Sequence, residues 1–129
     1  MLITQSERLI IRQCQYEDVD SIIELLNTDG WLTFIGDRNV KDKISAKAYI
    51  DKIKESYSSN GHGLYTVLNK ESLTFLGLCG ILKRDYLEHV DIGYALLPNE
   101  QGKGYATEAT KAILEYAETN LNIKTFCAI

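Results

Sequence analysis

The sequence predicts one α+β domain, a mixed three-layer arrangement of helices on a β-sheet. The chain has 129 residues, enough for a single domain (1–129) with its own core. Its apolar residues switch between strand-like runs and helical spacing, and the predicted element order is β-α-α-β-β-β-α-β. Short turns join the three consecutive strands, which is typical of an antiparallel meander. Together these observations favour the α+β class.

The first half of the sequence predicts a short strand and two helices. The strand is Leu9–Arg12, and the first helix begins at Tyr16–Asp20. The apolar residues of that helix recur at helical spacing: Val19, Ile22, Ile23 and Leu26. Trp31–Gly36 is apolar but irregular, and it predicts a loop or a helical turn that lines a cavity, because exposing its large side chains is unfavourable. The second helix begins at about Ser45.

The second half predicts three strands, a long helix and a final strand. Leu64–Leu68 is the first strand, and Phe75–Leu82, which is apolar on both faces, is expected to be central and covered on both sides. The third strand begins at Val90 and alternates apolar and other residues. A helix is predicted over Thr107–Asn120, and Lys124–Ile129 begins the last strand.

Composition argues against several classes of function. The net charge is −4 and no basic block occurs, which argues against a nucleic-acid partner. No apolar run approaches the roughly 20 residues of a membrane span. Three widely separated cysteines (Cys14, Cys79 and Cys127) favour reduced thiols and a cytoplasmic protein. The two histidines lack ligand spacing, so no metal site is predicted.

A glycine-rich turn joins the third strand of the meander to the long helix. Helix starts carry free N–H groups and a positive dipole end, so Gly102–Thr107 is a candidate anion site. The alternative is a turn that merely ends the strand. A Walker loop is excluded because Lys103 precedes Gly104 and the required spacing is absent. A dinucleotide fingerprint also fails, because the preceding strand belongs to a meander.

This turn and its neighbours resemble a known family. Gln101-x-x-Gly104-x-Ala106 resembles the [Arg/Gln]-x-x-Gly-x-[Gly/Ala] signature of the GNAT superfamily of acetyl-coenzyme A-dependent N-acetyltransferases. Three further stretches are similar to the branch that acetylates N-terminal alanines of ribosomal proteins: Ile92–Tyr94, Leu97–Pro98 and Gly102–Ala109. The run from Thr4 to Arg12 also resembles that branch's opening strand.

The resemblance implies an N-acetyltransferase that uses acetyl-coenzyme A as co-substrate and a primary amine as acceptor. A protein N-terminal amine is the leading acceptor, and a polyamine or an aminoglycoside is the alternative. A non-catalytic module that binds coenzyme A is the rival from another class.

The resemblance also assigns residues to the acyl donor. Leu96 and Leu97 are expected to contact the pantetheine arm through their backbones, and an N–H near Leu96 to polarise the acetyl carbonyl. Lys103 adds a charge to the loop or is a solvated surface residue, and Thr107 is favoured to contact phosphate by its N–H. The full donor-binding set is Leu96, Leu97, Gln101, Gly102, Lys103, Gly104, Tyr105, Ala106 and Thr107.

The resemblance also suggests catalytic and acceptor residues. Asp91 is the first candidate for a general base acting through a water, Glu88 is a weaker one, and a solvated or salt-bridged strand residue is the alternative for Asp91. Trp31 and Phe34 are expected to shape the acceptor side. Tyr94 is a candidate for lining the cleft, with core packing as its alternative.

The family usually continues past the fifth strand into a further helix and strand. By this resemblance the sequence is expected to be short at its C-terminal end, so that no general acid can be named. A strand at Phe126–Ile129 with an open edge is expected to favour pairing with another molecule, such as a second copy in a homodimer.

Overall fold

The computed structural model describes residues 2–34, 39–82, 90–123 and 126–127, apart from the side chains of 33, 34, 90, 126 and 127. The strands in these residues are β1 (Leu2–Gln5), β2 (Leu9–Gln13), β3 (Leu64–Asn69), β4 (Phe75–Leu82), β5 (Val90–Leu96) and β6 (Phe126–Cys127). The α-helices are α1 (Val19–Leu26), α2 (Asp29–Phe34), α3 (Lys43–Asn60) and α4 (Tyr105–Tyr116). Short 3₁₀ turns precede α1 and follow β5, and a π-helical turn, Ala117–Leu121, extends α4.

The strands form one sheet in the order β1-β2-β3-β4-β5-β6. Neighbours from β1 to β5 are antiparallel, whereas β6 is parallel to β5. Every residue of β4 before Leu82 is buried. This confirms the predicted meander and the central, doubly covered strand.

Helices cover both faces of the sheet. On one face, α4 packs Ala109, Ala112 and Ile113 against side chains of β2 to β5. On the other face, α1 and α3 bury Ile22, Leu25, Leu26, Ala46, Ile50 and Ile53. The apolar spacing of each helix therefore selects the face that it buries, and the three-layer α+β class is confirmed.

A buried ion pair ties the sheet to the start of α1. Arg12 on β2 donates from Nη2 to Asp18 Oδ1 over 2.8 Å and from Nη1 to Oδ2 over 2.9 Å. The hydroxyl of Thr66 and the N–H of Gln15 also donate to Asp18 Oδ2, each over 2.9 Å. Burial alone raises the pKa of this carboxyl, but these hydrogen bonds outweigh it and hold the pKa below its ordinary value.

The sequence misplaced some element boundaries. The opening strand expected over Thr4–Arg12 is two antiparallel strands, because the chain reverses at Ser6, whose N–H donates to Leu9 O over 2.9 Å. By contrast, the described part of Trp31–Gly36 belongs to α2, which agrees with the helical turn that the sequence allowed there. The last helix begins at Tyr105, two residues before its predicted start at Thr107.

Candidate active site

A cleft of about 570 Å³ opens at the C-terminal end of β5. One wall comes from the end of α1 and the start of α2: Leu25, Thr28, Gly30 and Trp31. The opposite wall is the glycine loop and the first turn of α4: Gln101, Gly102, Gly104, Tyr105, Ala106 and Thr107. The end of β5 and the residues after it supply the floor: Tyr94, Ala95, Leu96 and Pro98.

The loop wall has a backbone shape that requires glycine. Gly102 has φ of +78° and Gly104 has φ of +81°, both in the left-handed region that side chains with a Cβ disfavour. A Cβ at Gly102 meets no atom within 4 Å, and Gly102 is one of the residues that line the cleft. The two glycines thus shape the loop and leave space for a ligand to approach it.

The same loop presents unused hydrogen-bond donors. In the described part of the chain, the backbone N–H groups from Gly102 to Thr107 donate to no protein acceptor. Gly104 is the N-cap of α4, so these donors lie at the positive end of the helix dipole. Consecutive free N–H groups at a helix start fit a phosphate or diphosphate.

The edge of β5 next to the cleft is open. Within the described residues β5 pairs with β6 only at Val90–Phe126 and Asp91–Cys127, so the strand from Ile92 onward has no partner on that side. Leu97 donates its N–H to Leu76 O over 2.9 Å, which engages this donor with β4. Because successive backbone groups in a strand point to opposite edges, the N–H of Leu96 faces the open edge instead. Leu96 and Leu97 are both assigned to contacts with the acyl donor. Of the two, only Leu96 has a backbone N–H group that faces the open edge.

Two other residues that are predicted to bind the acyl donor, Gln101 and Lys103, make contacts within the protein. The side-chain amide of Gln101 donates to Leu96 O over 3.3 Å and so braces the loop against the end of β5. Lys103 does not line the cleft, and its ammonium lies 3.3 Å from Glu100 Oε1. Its charge is therefore partly compensated at the surface.

Of the residues predicted to shape the acceptor side, Trp31 and Tyr94 both line the cleft. Trp31 is 7% exposed, and its indole N–H has no hydrogen-bond acceptor in the described part of the chain. Tyr94 is 60% exposed, and it also borders an adjoining groove along α4. The side chain of Phe34 lies outside the described part of the structure.

The two carboxylates proposed for catalysis are placed differently. Asp91 is in β5, 3% exposed, and it does not line the cleft. Strand alternation puts its side chain on the face of Ala95 and opposite to that of Tyr94. Glu88 lies outside the described residues.

Sequence reasoning missed a charged cluster behind the loop. Arg8 Nε lies 2.7 Å from Glu108 Oε1, and Arg8 Nη1 donates to Lys103 O over 2.9 Å. The guanidinium also lies over the ring of Tyr105, with 4.6 Å from Cζ to the ring centroid. No local signal reveals this cluster, because Arg8 and Glu108 are 100 residues apart in the sequence.

Two kinds of feature are absent from the described residues. No group of three or more His, Cys, Asp or Glu side chains there is arranged to hold a metal ion. Likewise, no helix in the described ranges is long and apolar enough to cross a membrane.

The fold places a glycine loop, at the start of a helix, beside the edge of a strand. Residues 8–129 match the family model of the acetyltransferase (GNAT) domain. The chain therefore belongs to the GNAT acetyltransferases, which transfer an acetyl group from acetyl-coenzyme A. This confirms the resemblance seen in Gln101, Gly104 and Ala106.

Individual relatives agree with this assignment. YnaD, an uncharacterized N-acetyltransferase of Bacillus subtilis (strain 168), is 29% identical to this chain over 124 residues. The match covers 95% of this chain and 69% of YnaD. Two solved structures share the fold. RimL, a ribosomal L7/L12 α-N-protein acetyltransferase in complex with coenzyme A, has a TM-score of 0.78 at 16% identity, covering 95% of this chain and 71% of that one. A spermidine N-acetyltransferase SpeG chimera from Vibrio cholerae and hSSAT has a TM-score of 0.69 at 19% identity, covering 91% and 67%.

Proposed function

We propose that this acetyltransferase acetylates the N-terminal α-amine of a protein or peptide. The observation that carries the proposal is the character of the cleft: none of its described lining residues is charged. A polyamine or an aminoglycoside carries several positive charges at neutral pH, and none of the described lining residues supplies a carboxylate to offset the desolvation of those charges. A peptide N-terminus brings one amine on an otherwise neutral backbone.

The acidity of the acceptor supports the same choice. The amine must be neutral to attack, and an α-amino group has a pKa of about 7.7–8.0, whereas a lysine side chain has a pKa of about 10.4. A substantial fraction of N-termini is therefore neutral near pH 7.5 without a strong base. A water-linked carboxylate is sufficient, and we assign this role to Asp91, whose burial rules out direct contact with an amine in the cleft.

Each part of the cleft has a role in the proposed reaction. The loop from Gly102 to Thr107 holds the donor's diphosphate by its N–H groups, and the open edge of β5 receives the pantetheine arm. The N–H of Leu96 stabilises the negative charge that develops on the thioester oxygen. The amine nitrogen bonds to the carbonyl carbon, the carbon–sulfur bond breaks, the amine loses a proton and coenzyme A leaves as the thiol.

Thiol release with matched acceptors tests the proposal. The acceptors are a peptide with a free N-terminus and no lysine, the same peptide with a blocked N-terminus, and spermidine, each with acetyl-coenzyme A. We expect kcat/KM for the free peptide to exceed that for spermidine by at least tenfold, and the blocked peptide to be inactive. Faster turnover of spermidine would contradict the choice of acceptor. No release with any acceptor would favour the rival, a module that binds coenzyme A without catalysis.

The base is tested separately by Asp91→Asn, which keeps the shape of the side chain. We expect kcat/KM at pH 7 to fall about tenfold or more and the difference from the wild type to narrow at pH 9, where the amine is already neutral. A variant with an unchanged pH profile would remove Asp91 from the mechanism. Pairing through the C-terminal strand and a cytoplasmic location stay predictions.

A further inference from the structure

Arg8 contacts the glycine loop from outside the cleft. It borders a separate depression with Glu7, Asn69, Lys70, Glu71 and Tyr105, and it does not line the cleft itself. From there its guanidinium reaches Lys103 O and Glu108 Oε1, and its backbone N–H donates to Glu108 Oε2 over 2.8 Å. The hydroxyl of Ser6 donates to the same carboxylate. One residue of the β1–β2 turn, Arg8, thus makes three hydrogen bonds with the loop and α4.

The hydrogen bond from Arg8 to Lys103 O fixes the direction of a backbone N–H group in the loop. In a planar trans peptide the C=O and the N–H point in opposite directions. The carbonyl of Lys103 belongs to the same peptide unit as the N–H of Gly104. A carbonyl bound to Arg8 therefore turns the N–H of Gly104 away from Arg8. Arg8 is not among the residues that line the cleft, and Gly104 itself lines the cleft. Glycine at 104 leaves this peptide free to rotate, so an external anchor is needed to hold the orientation.

The contact with Glu108 compensates an unfavourable negative charge. Glu108 lies in the first turn of α4, close to the donors that face the cleft. An unpaired carboxylate there repels a diphosphate. Arg8 pairs with it over 2.7 Å, and the hydrogen bonds from Ser6 and Arg8 outweigh burial and hold the pKa of Glu108 below its ordinary value. The carboxylate is therefore ionised at neutral pH and already partnered when the donor arrives.

We infer that Arg8 is a positioning residue for the acyl donor: it orients the Lys103–Gly104 peptide and neutralises Glu108, and so sets the affinity for the diphosphate without touching it. The inference rests on the proposed use of this loop for the donor's diphosphate. Its signature is selectivity between donors. Loss of Arg8 lowers the enzyme's use of an acyl donor that carries the diphosphate and does not affect its use of an acyl donor that lacks it. General damage to the fold lowers the use of both.

The test compares acetyl-coenzyme A with acetylpantetheine, which has the same thioester arm and no diphosphate. In Arg8→Gln we expect kcat/KM for acetyl-coenzyme A to fall about tenfold through KM, and kcat/KM for acetylpantetheine to stay within about twofold. Arg8→Lys keeps a positive charge beside Glu108 but lacks the planar guanidinium fork. Its loss of kcat/KM for acetyl-coenzyme A should therefore be intermediate. Equal losses with both donors, or no loss with either, would overturn the inference.

Two controls complete the experiment. Lys70→Ala removes the bond from Lys70 Nζ to Ser6 O at the same corner, 3.0 Å long, without touching the loop, and should leave both donors unaffected. In the Arg8→Gln/Glu108→Gln double variant the unpaired carboxylate is gone, so part of the lost affinity for acetyl-coenzyme A should return. If the wild type uses neither donor, the proposed function fails first. Failure of both Arg8 variants to fold would make Arg8 a stability residue and overturn the inference.

Discussion

Replacing Gly102 with alanine should distinguish the contribution of this glycine to protein stability from its contribution to coenzyme A binding. The ideal control is Gly61, the C-cap of α3, because both glycines have φ of +78° and a Cβ added at either position meets no atom within 4 Å. The two substitutions therefore impose the same backbone strain in equally open space. Gly102 lines the cleft, and Gly61 does not.

The magnitudes follow from the geometry. An alanine held in the left-handed region costs about 1–2 kcal/mol, so each variant should lose roughly 3–8 °C in Tm. At Gly102 the new Cβ also occupies the space through which a diphosphate approaches the loop. Losing one charge-assisted hydrogen bond, about 1.5–3 kcal/mol, weakens coenzyme A binding roughly 10- to 100-fold.

Thermal unfolding and calorimetric titration with coenzyme A measure the two effects. Gly61→Ala should lose stability and keep the wild-type Kd within about twofold, whereas Gly102→Ala should lose both. If Gly102→Ala bound coenzyme A as tightly as Gly61→Ala, the loop would not be the diphosphate site.

Three further predictions use other parts of the structure. Trp31→Phe should lower kcat/KM for a peptide acceptor about tenfold and leave the KM of acetyl-coenzyme A within about twofold, because Trp31 lies on the wall opposite the loop; the reverse pattern in steady-state kinetics would refute its role. Asp18→Asn should destabilise the protein by about 3 kcal/mol at pH 7 in urea unfolding, since it breaks the buried pair with Arg12. The folded pKa of Asp18 lies below its unfolded value, so this stabilisation is present above about pH 4 and is lost as pH falls through the folded pKa; a stability difference that does not shrink as the pH is lowered below about 4 would contradict this. Burial raises the pKa of Cys14 and Cys79 to about 12, so in a variant whose third cysteine is serine, Ellman's reagent at pH 8 should detect these thiols only after unfolding.

The parts of the structure that sequence reasoning predicted are those carried by local patterns. The apolar run Phe75–Leu82 is long enough to identify a buried strand, and its burial follows directly. Gly102 and Gly104 mark the loop because few other residues tolerate a positive φ. The spacing of Gln101, Gly104 and Ala106 then identifies the family, since the motif and its strand–helix context occur together.

The parts that it missed depend on contacts distant in sequence or on direction within a strand. The pairing of Arg8 with Glu108 needs the β1–β2 turn to lie beside α4, which no pattern in either segment encodes. The separate roles of Leu96 and Leu97 depend on which strand edge each N–H faces, and this follows only from the register of β5 against β4. The burial of Asp91 likewise comes from the layers packed on both sides of the sheet.

The most direct test of the account is the response of backbone amides to coenzyme A, followed by ¹H–¹⁵N NMR on the labelled protein. The account predicts that the amides from Gly102 to Thr107 shift most on addition of coenzyme A, with Leu96 also affected. Pantetheine, which lacks the diphosphate, should shift Leu96 and leave the loop amides nearly unchanged. Largest shifts at another part of the sheet, or equal loop shifts with both ligands, would contradict the claim that this loop holds the donor's diphosphate.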